Sequence, residues 1–362
     1  VPWELNVARV AAPLVAATAT IGIIRVALRA LRQREWRIGR VTNHAIVCGL
    51  GEKGSVLARG LRATGQEVVA IDLADRPESL EACRKRGVLL LRGDATDPGV
   101  LIDAGVRRAE SLVCVCGDDG VNAQIAVTAR RLAAGRTSPL RVHVHVVNRE
   151  LRELLAPVAA RTTDTYDMSL INLFESGAKA MLEADPPFDA IDGDGSGAPH
   201  ILVIGLGELG DTVAVRAARR WQALRGDRPP LRITFVDGEA HEKRRALTIR
   251  HPQLTDAWEL NDVTMDIESV DFEQGRYLPA EQRATVSAIY VCIDDDPLAA
   301  VTALTLARTF ERVPIKVRVA RTDSGLGGLL SEHHAEGDYP NVYPFGLLEA
   351  ACTPDRLLLG ER

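Results

Sequence analysis

The first cluster able to do chemistry is Gly49-Leu50-Gly51-Glu52-Lys53-Gly54, which follows the apolar run His44–Cys48. A helical pattern runs from Ser55 to Thr64, and the next apolar run, Glu67–Ile71, ends in Asp72. From Gly49 to Asp72 is 72 − 49 = 23 residues, close to the ~20 that separate a glycine turn from a ribose-binding acid. Each position has a physical role in that pattern. Gly49 permits the tight turn, Gly51 lets backbone approach a pyrophosphate, and Gly54 lets the helix lie close on the strand. The helix N-terminus offers N–H groups and a positive dipole to phosphates. Asp72 accepts from ribose hydroxyls and repels a 2′-phosphate, which favours NAD(H), ATP or ADP over NADP(H).

Such a turn needs a strand before it, a helix after it and a sheet to carry both. The apolar runs Val88–Leu91, Leu112–Cys116 and Val142–Val147 supply further strands. Runs of this kind separated by helical segments imply a parallel sheet covered on both faces. Ligands lie at the carboxyl ends of such strands, where Gly49–Gly54, Asp72, Asp94 and Asp118 fall.

The pattern then repeats. His200–Ile204 leads into Gly205-Leu206-Gly207-Glu208-Leu209-Gly210, offset by 205 − 49 = 156, and Ile233–Val236 ends in Asp237. Cys116-Gly117-Asp118-Asp119 aligns with Cys292-Ile293-Asp294-Asp295, offset by 292 − 116 = 176. Ile315–Val319 matches the fifth strand. Gly205, Gly207, Gly210 and Asp237 are therefore a second candidate site. It is worn: Gly93-Asp94-Ala95-Thr96-Asp97 has only Asp266-Ile267-Glu268-Ser269 as counterpart, and Leu298 replaces Asn122. The fold class expected is α/β: two tandem Rossmann-like doubly wound parallel sheets preceded by an apolar, transmembrane helix.

Composition agrees. A length of 362 residues suits about two domains, and 46% hydrophobic residues suits packed cores. A net charge of −5 gives no bulk attraction to nucleic acid. Six cysteines, several in strand-like runs, read as buried thiols rather than a disulfide framework.

The N-terminus differs from the rest. Val10–Ile24 carries no charge over 15 residues, and Arg25, Arg29, Arg32, Arg34, Arg37 and Arg40 follow. Fifteen residues make a helix of roughly 22 Å, so a ~30 Å hydrocarbon core is reached only by extending back to Trp3. The arginines would then lie on the cytoplasmic side. An amphipathic helix on a membrane surface is the alternative. The chain begins at Val1 rather than Met, and a longer protein is expected.

Together, His44–Gly54, Asp72, Gly93–Asp97 and Asp118-Asp119 with Asn122 resemble the N-lobe of RCK domains, the regulators of potassium conductance. The resemblance covers about residues 43–185 and, more loosely, 199–350. It implies phosphate and ribose held by Gly49, Leu50, Gly51, Glu52, Lys53, Gly54 and Asp72, with Asp94 and Ala95 by the adenine and Cys116 close by. It implies a crossover helix over Tyr166–Leu182 and homo-oligomeric rings, four tandem chains to a gating ring. It also implies a membrane helix joined to the first lobe, with both lobes cytoplasmic. No Thr-Val-Gly-Tyr-Gly filter is present in the sequence.

The resulting map is residues 1–42 helix and arginine linker, 43–190 first lobe, 191–198 linker, and 199–362 second lobe. The reading is a nucleotide-sensing regulatory region of a potassium or cation channel or transporter. The alternatives are a peripheral nucleotide-binding scaffold and, third, an oxidoreductase. None of the five tyrosines has Lys four residues on, as short-chain reductases require, so no catalytic residues are assigned. No metal site is assigned either. The acidic runs Asp118-Asp119 and Asp294-Asp295-Asp296 read as helix N-terminal charges, His143 and His145 as a satisfied pair on one sheet face, and His333-His334 as a loop pair.

Overall fold

The structure, a computed structural model, describes residues 37–73, 77–184, 188, 198–323 and 325–351. The apolar segment Val10–Ile24 and most of the linker at 191–198 lie outside the described residues. Among those described, no helix is long and apolar enough to cross a membrane.

By internal contacts the chain divides into Val1–Leu170 and Ile171–Arg362. The first unit holds a six-stranded sheet of β1 (Ala45–Cys48), β2 (Val68–Asp72), β3 (Leu89–Arg92), β4 (Ser111–Cys114), β5 (Leu140–His145) and β6 (Tyr166–Ile171). Their order is β3-β2-β1-β4-β5-β6, the doubly wound arrangement. Strands β1 to β5 pair in parallel. β1 is buried along its whole length, because helices cover both faces of the sheet. The helices that matter for the site are α1 (Glu52–Ala63), α2 (Pro77–Lys85), α3 (Pro98–Asp103), α4 (Asp119–Leu132) and α5 (Arg149–Ala159). Strand order reverses between β1 and β4, so the loops β1–α1 and β4–α4 flank a crevice.

The expected crossover helix over Tyr166–Leu182 divides in two. Tyr166 and Met168 are buried and alternate with less buried Asp167 and Ser169, the period of a strand, and Tyr166–Ile171 is β6. Only Leu173–Ala184 is helical (α6). That helix, which the sequence groups with the first lobe, packs in the second unit. Ala178, Met181 and Leu182 join Val213, Trp221 and Leu347 in one core. Gly177 permits the approach, since a Cβ there would lie 2.1 Å from Leu347 Cδ1.

The second unit repeats the sheet as β9-β8-β7-β10-β11-β12, all in parallel register. Its strands are β7 (His200–Ile204), β8 (Leu231–Asp237), β9 (Trp258–Thr264), β10 (Val286–Val291), β11 (Ile315–Val319) and β12 (Val342–Gly346). Between them lie α7 (Glu208–Leu224), α8 (Ala240–Arg250), α9 (Val270–Glu273), α10 (Ala280–Arg283), α11 (Asp296–Thr309), α12 (Gly325–Glu336) and α13 (Leu347–Ala351). His333-His334, expected in a loop, sit in the last turn of α12.

The later part of the repeat runs one residue further along than the sequence alignment placed it. Val115 N donates to Cys48 O as Cys292 N donates to Ile204 O, so Cys116 matches Ile293, an offset of 177. Asp118 caps α4 and Asp295 caps α11 at the same offset. Asn122 therefore corresponds to Ala299, not Leu298. Composition misled the alignment: a Cys-x-Asp-Asp string recurs one step out of register.

Candidate nucleotide-binding site

The glycine turn is built as its spacing demands. Gly49 has φ +92°, and a Cβ there would lie 2.9 Å from Cys116 Cα. A Cβ at Gly54 would lie 1.7 Å from Gly49 O, so the first turn of α1 fits beneath the loop only as glycine. Gly51 caps α1 with extended backbone and, having no side chain, supplies no capping acceptor to the first turn. Gly49 N donates to Ile71 O at 2.8 Å, and Leu50 N donates to Asp72 Oδ2. The Asp72 carboxylate is thereby anchored at the rim.

A cleft of about 1180 Å³ opens beside this turn. Of the expected first-lobe residues, Gly49, Gly51, Glu52, Lys53, Asp72, Asp94, Ala95 and Cys116 line it. Leu50 and Gly54 stand behind it: Leu50 is buried with its N–H turned to Asp72, and Gly54 packs against Gly49. Leu73, Thr96, Val121 and Gln124 also line the cleft. Their types carry no ligand signal, and only the fold brings them there.

Hydrogen bonds fix the walls. Asp94 Oδ1 accepts from Thr96 N at 2.9 Å and Thr96 Oγ1 at 2.8 Å, and these bonds hold its carboxyl below the usual range. Asp97 caps α3 by accepting from Gly99 N, and Asp118 caps α4 by accepting from Val121 N. Asp119 Oδ2 accepts from Val147 N and Asn148 N, tying the start of α4 to the end of β5. Fully buried Asn122 accepts from Cys116 N at 2.8 Å and donates to Cys116 O and His145 O. Burial pushes the Cys116 thiol up to about 12, so it faces the cleft as a neutral group. Lys53 Nζ lies 3.2 Å from His145 Nε2. His143, two residues back on β5, bonds Ser169 Oγ at 2.7 Å.

The second lobe keeps this backbone. Gly205 has φ +86°, a Cβ at Gly210 would lie 2.2 Å from Gly205 O, and Gly207 caps α7 without a side-chain bond. Leu206 N donates to Asp237 Oδ2 at 2.8 Å, the counterpart of Leu50 and Asp72. Asp266 accepts from Glu268 N and Ser269 caps α9, so that worn stretch retains its turn. The side chains differ. Asp237 Oδ1 accepts from Glu239 N and from Lys243 Nζ, both at 2.8 Å. Burial alone would raise its carboxyl, but the Lys243, Glu239 and Leu206 bonds together hold it below the usual value. Leu209, buried, stands where the first lobe has Lys53, and Ile293 where it has Cys116. Lys243 was not singled out from the sequence; a lysine six residues past the acid is the signal that was there to read.

Elsewhere, His333, Glu336 and Asp338 bring ligand atoms within 4.8 Å of one another on the exposed end of α12. His333 Nδ1 and Asp338 Oδ2 already pair at 2.9 Å.

Sheet order, glycine loop and rim aspartate define a Rossmann-type lobe with its cleft at the strands' carboxyl ends. Residues 45–163 of that lobe match the TrkA-N domain family. The chain is 32% identical over 104 residues to Potassium channel protein 1 of Methanocaldococcus jannaschii, covering 28% of this chain and 31% of that protein. It thus spans under a third of that relative. Among solved structures, GsuK bound to ADP matches 89% of this chain and 71% of its own with a TM-score of 0.59 at 18% identity. The GsuK channel bound to NAD matches 88% of this chain and 64% of its own at a TM-score of 0.58 and 14% identity. At these identities the likeness shows the fold, and it extends over both lobes. Other sequence relatives carry the names Trk system potassium uptake protein TrkA homolog (Pyrococcus abyssi) and glutathione-regulated potassium-efflux system protein KefC (Cronobacter sakazakii).

Proposed function

We propose that this chain is the nucleotide-sensing region of a potassium channel or transporter. The observation that carries this is the first-lobe cleft. A helix N-terminus without a side-chain cap, a glycine loop with no room for a Cβ at Gly49 or Gly54, and an anchored carboxylate converge on one crevice. Gly49, Gly51, Glu52 and Lys53 would bring backbone N–H groups to the phosphates, with Leu50 and Gly54 shaping the turn. Asp72 would meet the ribose, Asp94 and Ala95 the adenine, and Cys116 the opposite wall. The names of the relatives, potassium channel and potassium uptake proteins, support the setting.

The second lobe, with Gly205, Gly207, Gly210 and Asp237, is proposed as a scaffold of the same shape whose ribose acid is already held by Lys243. Nucleotide binding in the first lobe would shift a homo-oligomeric ring, by no more than its differential affinity for the two states. In this reading Val10–Ile24 and the arginines after it attach the lobes to the cytoplasmic face of a membrane.

Calorimetric titration of NAD+, NADH, ADP and ATP against the wild type and Asp72→Ala tests the site. Binding to the wild type with at least roughly tenfold loss in Asp72→Ala is expected, since a bond to a charged acceptor is at stake. Absence of binding, or equal binding by both proteins, overturns the assignment.

A further inference from the structure

The cleft is acidic where phosphates would lie. Its ionisable lining is Glu52, Asp72, Asp94 and Asp118 against Lys53. Each of three carboxylates is held by a local backbone donor: Asp72 by Leu50, Asp94 by Thr96 and Asp118 by Val121. At Asp94 these bonds favour the ionised form. Asp118 also sits on the α4 N-terminus, where it answers the dipole that a second phosphate would otherwise use. Lys53 is engaged by His145. Glu52 is the decisive member. It is exposed, it is the first residue of α1, and it carries its charge on the turn whose N–H groups face the cleft.

From this we infer that the first-lobe site selects nucleotides by charge, preferring the oxidised dinucleotide NAD+ over NADH, ADP and ATP, with Glu52 as the discriminating residue. The inference rests on the nucleotide-binding reading of the cleft. A diester phosphate carries about −1 and a terminal phosphate about −2 at neutral pH. NAD+ has two diester phosphates and a nicotinamide cation that cancels one charge. NADH lacks that cation. ADP and ATP each end in a terminal phosphate, and ATP adds one more diester-like charge. A carboxylate some 7 to 10 Å from each added charge, in an effective dielectric of ~40 to 80, weakens binding roughly two- to sevenfold per charge. Across the three added charges from NAD+ to ATP the span is roughly ten- to several-hundredfold at low salt. The dipole of α1 and Lys53 oppose this penalty for each added charge, but one ammonium stands against four carboxylates in the lining, so the order is kept.

The test is calorimetry with NAD+, NADH, ADP and ATP in EDTA at low and high KCl, on the full chain and on Glu52→Gln. NAD+ is expected to bind at least roughly tenfold more tightly than ATP at low salt, with the gap narrowing at high salt. Glu52→Gln is expected to tighten ATP by roughly tenfold or more and NAD+ by only about two- to sevenfold. A change of the ratio is something a merely structural role of Glu52 would not produce, and the thermal melt of Glu52→Gln confirms folding. ATP binding as tightly as NAD+, or a ratio unchanged in Glu52→Gln, overturns the inference while leaving the nucleotide site standing. Failure of all four ligands to bind overturns both.

Discussion

The ammonium of Lys243 lies 2.8 Å from Asp237 Oδ1 and 3.5 Å from Glu239 Oε2. Together with the Leu206 and Glu239 N–H groups, it occupies both oxygens of the carboxylate that would meet a ribose in the second lobe. A ribose would have to displace a bond between two charged groups to gain bonds in which only the carboxylate is charged, an exchange that loses strength. One nucleotide per chain is therefore expected. Asp237→Ala should leave the dissociation constant within about twofold, whereas Asp72→Ala should weaken it at least about tenfold. The stoichiometry from calorimetry checks this directly; two equivalent sites per chain would sink it.

The glycines of each turn are not equivalent. At Gly54 a Cβ meets Gly49 O at 1.7 Å, a backbone atom that cannot rotate away. Gly54→Ala should destabilise the first lobe by at least ~3 kcal/mol, the upper end of overpacking costs, and abolish nucleotide binding. At Gly207 no atom lies within 4 Å of a Cβ and φ is −93°. Gly207→Ala should change second-lobe stability by no more than ~0.5 kcal/mol. Denaturant melts of the two variants separate these outcomes, and equal effects at both positions would refute the packing account.

Much of this was legible before any coordinates. Apolar runs bounded by glycine or aspartate marked β1, β2, β7 and β8, because buried parallel strands are largely apolar on both faces. The acidic runs read as helix caps, and Asp118 and Asp295 do cap α4 and α11. Edge strands were harder. β6 and β9 carry Asp167, Glu259 and Asp262, since an edge strand is buried on one face at most, and their alternation was missed. Register across the repeat was lost at Cys292, where local composition outweighed the hydrogen-bonding frame. The cleft showed itself only in part: the glycines and Asp72 have a spacing rule, whereas Val121 and Gln124 arrive by folding alone.

Asn122 is the clamp between the β4 and β5 ends. It satisfies Cys116 N, Cys116 O and His145 O from a fully buried position, and the second lobe has Ala299 in its place. Asn122→Ala would leave those backbone groups without a partner in a dry site. A cost of ~2–4 kcal/mol is expected for the first lobe, together with weaker nucleotide binding, although the side chain is absent from the cleft lining. Thermal melts combined with calorimetry check both halves. A variant that melts like the wild type would show that the clamp does not hold the wall.

Acid should loosen both lobes through buried imidazoles. In the first lobe His143 is pushed down to about 4, chiefly by burial and then by Arg141, against an opposing pull from Asp167. In the second lobe His200 is likewise down to about 4, by burial and Arg232, with Glu259 opposing. His44 is lowered as well, mainly by burial, with its bond to Ala104 O working the other way. An unfolded imidazole takes up its proton near pH ~6.5, so below that pH the unfolded chain binds more protons than the folded one. Stability is then lost as pH falls from about 6.5 toward 4, and these groups impose no slope above it. His143 and His200 each contribute at most on the order of 3 kcal/mol. His200 makes its two bonds to Thr285 Oγ1 and Thr234 Oγ1 as a neutral ring, and an amide at that position retains polar partners without titrating. Denaturant titrations at pH 7.5 and pH 5 should show the loss, and His200→Gln should flatten it for the second lobe alone. A second-lobe slope that persists in His200→Gln, or a chain that gains stability on acidification, would show that these imidazoles are not the groups responsible.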